Sequence, residues 1–139
     1  MGGADEILQQ TVAYMQERVQ FGRAIASYQA LKHKSADMML KAEVSQSAVY
    51  YAACVAQEAL SPEGDTNIAA ELVEAAAIAK GYCSDSYFFN AGCAIQMYGG
   101  VGFTWEYDVH LFFKRAKSSE LYLGSAAYQR ELVAQMLLD

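Results

Sequence analysis

Few residues of this chain have the type and spacing that metal binding or hydrolytic catalysis needs. The two histidines, His33 and His110, lie in different segments, and neither has a carboxylate or a cysteine at the spacing of metal ligands. Residues 84–86 read Ser-Asp-Ser, but no nucleophile-elbow signature accompanies any serine. The sequence therefore predicts neither a metal centre nor a catalytic triad.

Two segments could instead contact a phosphate-bearing ligand. Residues 99–102 read Gly-Gly-Val-Gly, which is typical of a helix end with a residue at positive φ, or of a backbone that a ligand approaches closely. Arg18 and Arg23 flank a Phe-Gly pair, and a cation in the last turn of the first predicted helix also interacts favourably with the helix dipole. Spacing alone leaves both interpretations open at both segments.

Composition excludes several classes of protein. The chain has 139 residues, ten Lys and Arg against sixteen Asp and Glu, and a net charge of -6, which argues against nucleic-acid binding. A hydrophobic share of 54% with one proline favours a folded, helical domain. We interpret Cys54, Cys83 and Cys93 as small buried residues in a reducing compartment. The sequence contains no run of eighteen apolar residues, so it predicts no membrane span, and we expect a cytoplasmic location.

Hydrophobic periodicity predicts an all-α, up-and-down four-helix bundle with four or five helices, two of them long and antiparallel. The first helix is predicted at residues 5–20, with Ser27 as the N-cap of a second helix at residues 28–60. A loop at residues 61–66 contains Pro62, Gly64 and a cap at Asp65 or Thr66. The third helix ends at the glycine pair, and shorter helices follow at residues 109–122 and 125–138.

Three segments, in this order, resemble the acyl-CoA dehydrogenase family. Residues 14–23, Tyr-Met-Gln-Glu-Arg-Val-Gln-Phe-Gly-Arg, with Tyr28-Gln29 after them, resemble the family's "Y-x-x-x-R-x-x-F-G…Q" segment. Residues 94–107 resemble its "Q-x-x-G-G-x-G-[FY]-x-x-E-[YF]" segment, and residues 122–130, Tyr-Leu-Gly-Ser-Ala-Ala-Tyr-Gln-Arg, resemble "Y-E-G-T-x-x-x-Q-R". Together these segments span nearly the whole chain.

The resemblance implies that residues 1–139 are the C-terminal helical domain of a larger enzyme, whose N-terminal helical and middle β domains lie outside this sequence. In the family, FAD oxidises an acyl-CoA, a fatty acyl or related thioester, to the 2,3-enoyl-CoA. A carboxylate removes the α-proton, and electrons pass on to an electron-transfer flavoprotein. The cofactor lies across a subunit interface, usually within a tetramer.

Position by position, the resemblance implies a set of cofactor contacts. Arg18 would bind the FAD pyrophosphate, because a guanidinium can bind phosphate oxygens bidentately. Gln20 and Phe21 would lie beside Arg18. Gln29 and the segment 96–100 would line the adenosine side of the cofactor. Ser125 replaces a threonine of the family motif. The predicted cofactor-binding residues are Arg18, Gln20, Phe21, Gln29, Gln96, Gly99, Gly100 and Ser125.

The departures from the family pattern concern catalysis. Many members carry the proton-abstracting glutamate where this chain has Leu123, and the usual Arg-Asp pair upstream is Lys114-Arg115. Leucine cannot accept a proton. Glu120, three residues earlier, would point roughly 60° away around a helix, which makes it a poor substitute.

Two explanations of the missing base stay open. Some members place the base on the first helix of this domain, in a region that would lie at or before Met1. Others pair a base-bearing subunit with one that lacks it, as in heterotetramers that act on bulky, steroid-like acyl-CoAs. The size of Leu123 favours the second explanation, because a small residue is expected where a base reaches in from another helix. A non-enzymatic interaction module that kept only the fold is the rival hypothesis.

Overall fold

The computed structural model describes residues 1–61 and 66–138, which form a helical bundle with one short β-hairpin. The all-α prediction is confirmed, including its two long helices. In chain order the elements are α1 (Gly2–Glu17), β1 (Val19–Gln20), β2 (Arg23–Ala24), a 3₁₀ turn (Ile25–Ser27), α2 (Gln29–Ala59), α3 (Thr66–Tyr98), a second 3₁₀ turn (Gly99–Phe103), α4 (Val109–Leu121) and α5 (Ala126–Leu138).

The two long helices, α2 and α3, pack antiparallel as predicted. The thiol of Cys83 contacts the carbonyl of Ser45 at 3.5 Å, and the Tyr51 hydroxyl lies 2.6 Å from a carboxylate oxygen of Glu71, so residue numbers fall on one helix as they rise on the other. One face of α2 consists of small and apolar residues spaced by three and four positions, and all of them are buried or half-buried: Leu31, Ser35, Met38, Ala42, Ser45, Val49, Ala52, Ala56 and Ala59. The small side chains allow the two helices to approach closely along their length.

Helix α3 is the central element, and the other four helices pack against it. The fully buried Asn90 donates hydrogen bonds from Nδ2 to the carbonyls of Ala4 on α1, at 3.1 Å, and Met38 on α2, at 3.0 Å. Apolar side chains fill the core on either side. One cluster comprises Leu8, Met15, Ile25, Met38, Ala42 and Met97, and the other Ile7, Ala94, Ile95, Tyr98 and Val109.

Predictions at the junction between α1 and α2 are wrong. The first helix ends at Glu17, and Arg18 has extended backbone angles (φ -70°, ψ 121°), so it does not belong to the last helical turn. Ser27 does not cap α2, because its hydroxyl donates to the carbonyl of Ala24 at 2.7 Å and the N-cap position falls on Tyr28. Helical periodicity does not detect a hairpin of two-residue strands, and the extra 3₁₀ turn moves the helix start.

All four ends of α4 and α5 lie within one residue of their predicted bounds, and the two that differ, at Leu121 and Ala126, flank the turn that joins these helices. The predicted loop features at Pro62, Gly64 and Asp65, and the alternative cap at Thr66, lie outside the described residues and side chains. The burial expected of the cysteines is wrong for Cys54, which is exposed. Within residues 1–61 and 66–138, no helix is long and apolar enough to cross a membrane, and no group of side chains could hold a metal ion.

Candidate cofactor-binding site

A tight hairpin connects α1 to α2 and presents an aromatic side chain to solvent. Val19 pairs with Ala24 and Gln20 with Arg23, so only two residues form the turn. Both have positive φ, 55° at Phe21 and 79° at Gly22, as a type I′ turn requires. An aromatic residue in this conformation is unusual and costs about 1–2 kcal/mol, yet Phe21 is 92% exposed. Packing within the chain therefore does not explain its presence.

The two arginines beside this hairpin have different surroundings. The guanidinium of Arg23 lies 4.0 Å from the ring centroid of Tyr28, whose hydroxyl donates to the carbonyl of Gln20 at 3.2 Å. Arg18 is exposed, and no carboxylate in the described part of the chain forms a salt bridge with it. Its donors remain available to a ligand.

The carboxyl end of α3 supplies the facing wall. Gly99 has a φ of 67°, which confirms the predicted helix end and disfavours any residue with a side chain. A Cβ atom added at Gly99 or Gly100 would meet nothing within 4 Å, so the backbone here faces open space. Gln96, one turn before Gly99, is exposed, whereas the residues that precede it on the same face of α3, such as Phe89 and Cys93, are half-buried.

Three tyrosines fix the ends of α1 and α3 relative to each other. The rings of Tyr14 and Tyr98 stack with centroids 3.9 Å apart, and Tyr107 packs edge-on against both. The Tyr98 hydroxyl donates to the carbonyl of Gln10 at 3.2 Å. Burial raises the pKa of Tyr98 above its ordinary value, and the neighbouring Tyr107 and Tyr14 act in the same direction. The phenol is therefore neutral at physiological pH and has a structural role.

These elements enclose a cleft of about 590 Å³ between the hairpin, the start of α2 and the end of α3. Six of the eight predicted cofactor residues line it: Arg18, Gln20, Phe21, Gln96, Gly99 and Gly100. Gln29 is exposed at the start of α2 but does not line the cleft. Ser125 lies elsewhere, where its hydroxyl accepts a 3.3 Å hydrogen bond from the backbone N–H of Tyr128 at the start of α5. An available guanidinium facing an open backbone fits a phosphate-bearing cofactor.

The turn between α4 and α5 is held in a left-handed conformation. Leu123 has a φ of 58° and is 71% exposed, and Gly124 follows with a φ of 94°. The buried Gln129 donates from Nε2 to the carbonyl of Leu123 at 2.7 Å. Lys80, on α3, donates from Nζ to the carbonyls of Ser119 and Glu120 at 3.3 Å each. These bonds hold the end of α4 and the turn in place.

Sequence reasoning missed Gln129 and Lys80 as determinants of this turn. The glutamine lies inside the third family-like segment, which was the available signal, and the next residue, Arg130, forms a 2.6 Å salt bridge with Asp85 on α3. Nothing in the sequence around Lys80 indicates its contact with residues about forty positions away.

Glu120 and Leu123 lie on different surfaces of the domain. Its carboxylate forms a 2.9 Å salt bridge with Lys117 and lines a neighbouring apolar groove of about 750 Å³, whereas Leu123 does not line that groove. The groove lies beside the cofactor cleft and shares Ala30, Leu31, Gln96 and Met97 with it. The two side chains at 120 and 123 therefore serve different surfaces.

Comparisons with known proteins agree with this architecture. The family model described as "Acyl-CoA dehydrogenase, C-terminal domain" matches residues 1–138. The chain is 36% identical, over 98% of its length, to acyl-CoA dehydrogenase IpdE2 of Mycolicibacterium smegmatis, and covers 39% of that protein. It superposes on butyryl-CoA dehydrogenase from Megasphaera elsdenii with a TM-score of 0.88 and 33% identity, covering 99% of this chain and 33% of the other. The FAD complex of PigA matches with a TM-score of 0.86 and 25% identity, covering 98% and 33%.

The chain thus spans between a third and two fifths of the length of these relatives. The family match nevertheless covers almost every residue, and the three sequence segments that resemble the family lie at the cleft and at the α4–α5 turn. This chain belongs to the acyl-CoA dehydrogenase family and corresponds to its C-terminal domain.

Proposed function

We propose that this chain is the C-terminal helical domain of an FAD-dependent acyl-CoA dehydrogenase, which oxidises an acyl-CoA thioester to the 2,3-enoyl-CoA. The domain contributes to cofactor binding and to assembly of subunits into a homo- or heterotetramer, and the enzyme passes its electrons to an electron-transfer flavoprotein. One observation carries the proposal: residues from two segments far apart in the sequence, 18–21 and 96–100, both of which the family resemblance selected, line one cleft.

Each wall of the cleft has a distinct task in this proposal. Arg18 binds the pyrophosphate, since its charge has no salt-bridge partner in the described part of the chain. Gly99 and Gly100 leave room for the cofactor to approach the backbone, and Gln96 offers an amide at the same wall. The chemistry that bound FAD supplies is acceptance of the hydride that leaves the β-carbon of the thioester.

Proton abstraction must come from a residue outside the α4–α5 turn. The side chain at position 123 is a hydrocarbon, and the nearest carboxylate along the chain, Glu120, is paired with Lys117. We favour a carboxylate on a partner subunit, which makes this chain the base-lacking member of a hetero-oligomer. The turn then contributes an apolar wall at the place where other members carry the base.

Arg18→Ala in the full-length flavoprotein, purified with any partner subunit, tests the cofactor assignment. Loss of a charged hydrogen-bonding group costs about 1.5–3 kcal/mol, so FAD affinity should fall by about tenfold to a hundredfold. Arg23→Ala is the matched control, because Arg23 stacks on Tyr28 and does not line the cleft. The affinities follow from flavin fluorescence during titration of the apoprotein.

The rival hypothesis is a non-enzymatic helical module that retains the fold only. It predicts a full-length protein that purifies without flavin and does not take FAD up on reconstitution. If the protein does carry flavin but Arg18→Ala binds it as tightly as the parent, the assignment of Arg18 is wrong while the family function stands.

A further inference from the structure

A second polar cleft lies on the outer face of α4, immediately before the turn at Leu123. Ser118 and Ser119 follow Arg115 by three and four residues, which places these three side chains on one face of α4, and Tyr122 follows at the C-cap, where the backbone is extended (φ -69°, ψ 131°). They line a cleft of about 500 Å³ together with Leu121. None of the eight predicted cofactor residues lines this cleft.

The polar side chains that line this cleft are hydrogen-bond donors, and one of them is positively charged. It offers a guanidinium and three hydroxyl groups, and no carboxylate lines it. Arg115 is exposed and, within residues 1–61 and 66–138, forms no salt bridge. An unpaired arginine is notable in a chain whose net charge is -6. The nearest acidic residue along the helix, Glu120, lines the apolar groove and is neutralised by Lys117.

The helix dipole would oppose an anion at this end of α4, because the last carbonyls of a helix carry partial negative charge. Lys80 offsets this effect. Its ammonium donates to the carbonyls of Ser119 and Glu120, so that two of these acceptors are occupied by a cation from α3. The backbone behind the cleft therefore does not repel a negative group.

We propose that this cleft binds an oxyanion of the acyl-CoA ligand, either a carboxylate on the acyl group or a phosphate of the CoA moiety. The inference rests on the proposed function, because it places the ligand beside the α4–α5 turn. Residues 115–121 span about 9 Å of helix and two more residues lead to position 123, so the anion would lie within roughly 15 Å of residue 123. The family resemblance implies an aspartate at position 115, so the arginine of this chain reverses the charge there. A positive charge is what binding of an anion requires.

The test compares two thioesters of equal chain length, hexanoyl-CoA and adipoyl-CoA, which differ by a terminal carboxylate. Binding to the full-length flavoprotein is measured from the shift of the flavin absorption band, which does not require turnover. Arg115→Gln removes the charge and keeps a side chain of similar size. It should lower the affinity for adipoyl-CoA by about tenfold relative to the affinity for hexanoyl-CoA. Lys114→Gln, the adjacent cation over the Trp105 ring, is the matched control and should change neither affinity. Ser118→Ala serves as a second, milder variant of the cleft.

A selective loss of adipoyl-CoA affinity assigns the site to an acyl carboxylate. Equal weakening of both thioesters, together with competition by inorganic phosphate that Arg115→Gln abolishes, assigns it to a CoA phosphate. Unchanged affinities, equal weakening without phosphate competition, or a loss of subunit assembly alone would overturn the inference. A protein without flavin, or one whose flavin band responds to neither thioester, would instead contradict the proposed function on which the inference rests.

Discussion

The backbone conformation of Leu123 is held by a hydrogen bond from Gln129 and not by burial of the Leu123 side chain. Leu123 keeps a left-handed backbone that costs about 1–2 kcal/mol for a residue with a side chain. Gln129, buried against α3, compensates by donating to the carbonyl of that residue at 2.7 Å. The conformation of the turn therefore depends on the hydrogen bond from Gln129 and not on packing of the exposed Leu123 side chain.

Replacing Gln129 by leucine tests this interpretation. The change removes the hydrogen bond and leaves the Leu123 carbonyl without its donor, so the free energy of unfolding should fall by about 1–3 kcal/mol. Urea denaturation measures it. Gln135→Leu is the matched control, since the side chain of this exposed glutamine on the same helix bonds Glu131 at 3.1 Å and no other residue that the structure describes, and the change should alter stability by less than about 0.5 kcal/mol. Equal effects of the two variants would show that Gln129 does not hold the turn.

For individual residues, the sequence identifies which positions belong to the site but does not predict their backbone angles or contacts. Motif resemblance led to Leu123 and to six residues of the cleft. The positive φ of Leu123 and the contacts of Gln129 and Lys80 depend on the packing of α3 against α4 and α5, which local patterns do not encode.

Among the elements, the hairpin between α1 and α2 departs most from its prediction. The sequence predicts the long helices, because 3.6-residue periodicity accumulates over many turns. It does not predict strands of two residues, where there is no periodicity to detect. The hairpin instead depends on two consecutive residues with positive φ, and the first of them, Phe21, is a poor choice for that conformation on local grounds alone.

Phe21→Asn should separate stability from cofactor binding in this hairpin. Asparagine favours the left-handed region, so unfolding stability should stay unchanged or rise by up to about 1 kcal/mol. FAD affinity of the full-length protein should fall by about tenfold, because the exposed ring would be buried against the cofactor.

Phe103→Asn controls for the loss of an exposed aromatic ring, because Phe103 is 69% exposed and does not line the cleft. A loss of stability in Phe21→Asn, with FAD affinity unchanged, would mean that the phenylalanine serves the fold and not the cofactor.

For the whole molecule, the sequence predicts the length and antiparallel packing of α2 and α3 but not the central position of α3. That position follows from contacts between residues distant in sequence, and Asn90 makes two of them at once. Its side-chain amide joins α3 to α1 through Ala4 and to α2 through Met38. The periodicity of α3 identifies its buried faces without showing which helix covers each.

Asn90→Leu should therefore destabilise the bundle as a whole. Leucine has a similar reach, but it cannot donate to the carbonyls of Ala4 and Met38, so we expect a loss of about 2–4 kcal/mol in the free energy of unfolding. Urea denaturation should show a lower midpoint with an unchanged slope, because the surface exposed on unfolding is the same. Gln9→Leu, the same type of change at an exposed position of α1, should alter stability by less than about 0.5 kcal/mol. A midpoint for Asn90→Leu that matches this control would show that apolar packing alone joins the three helices.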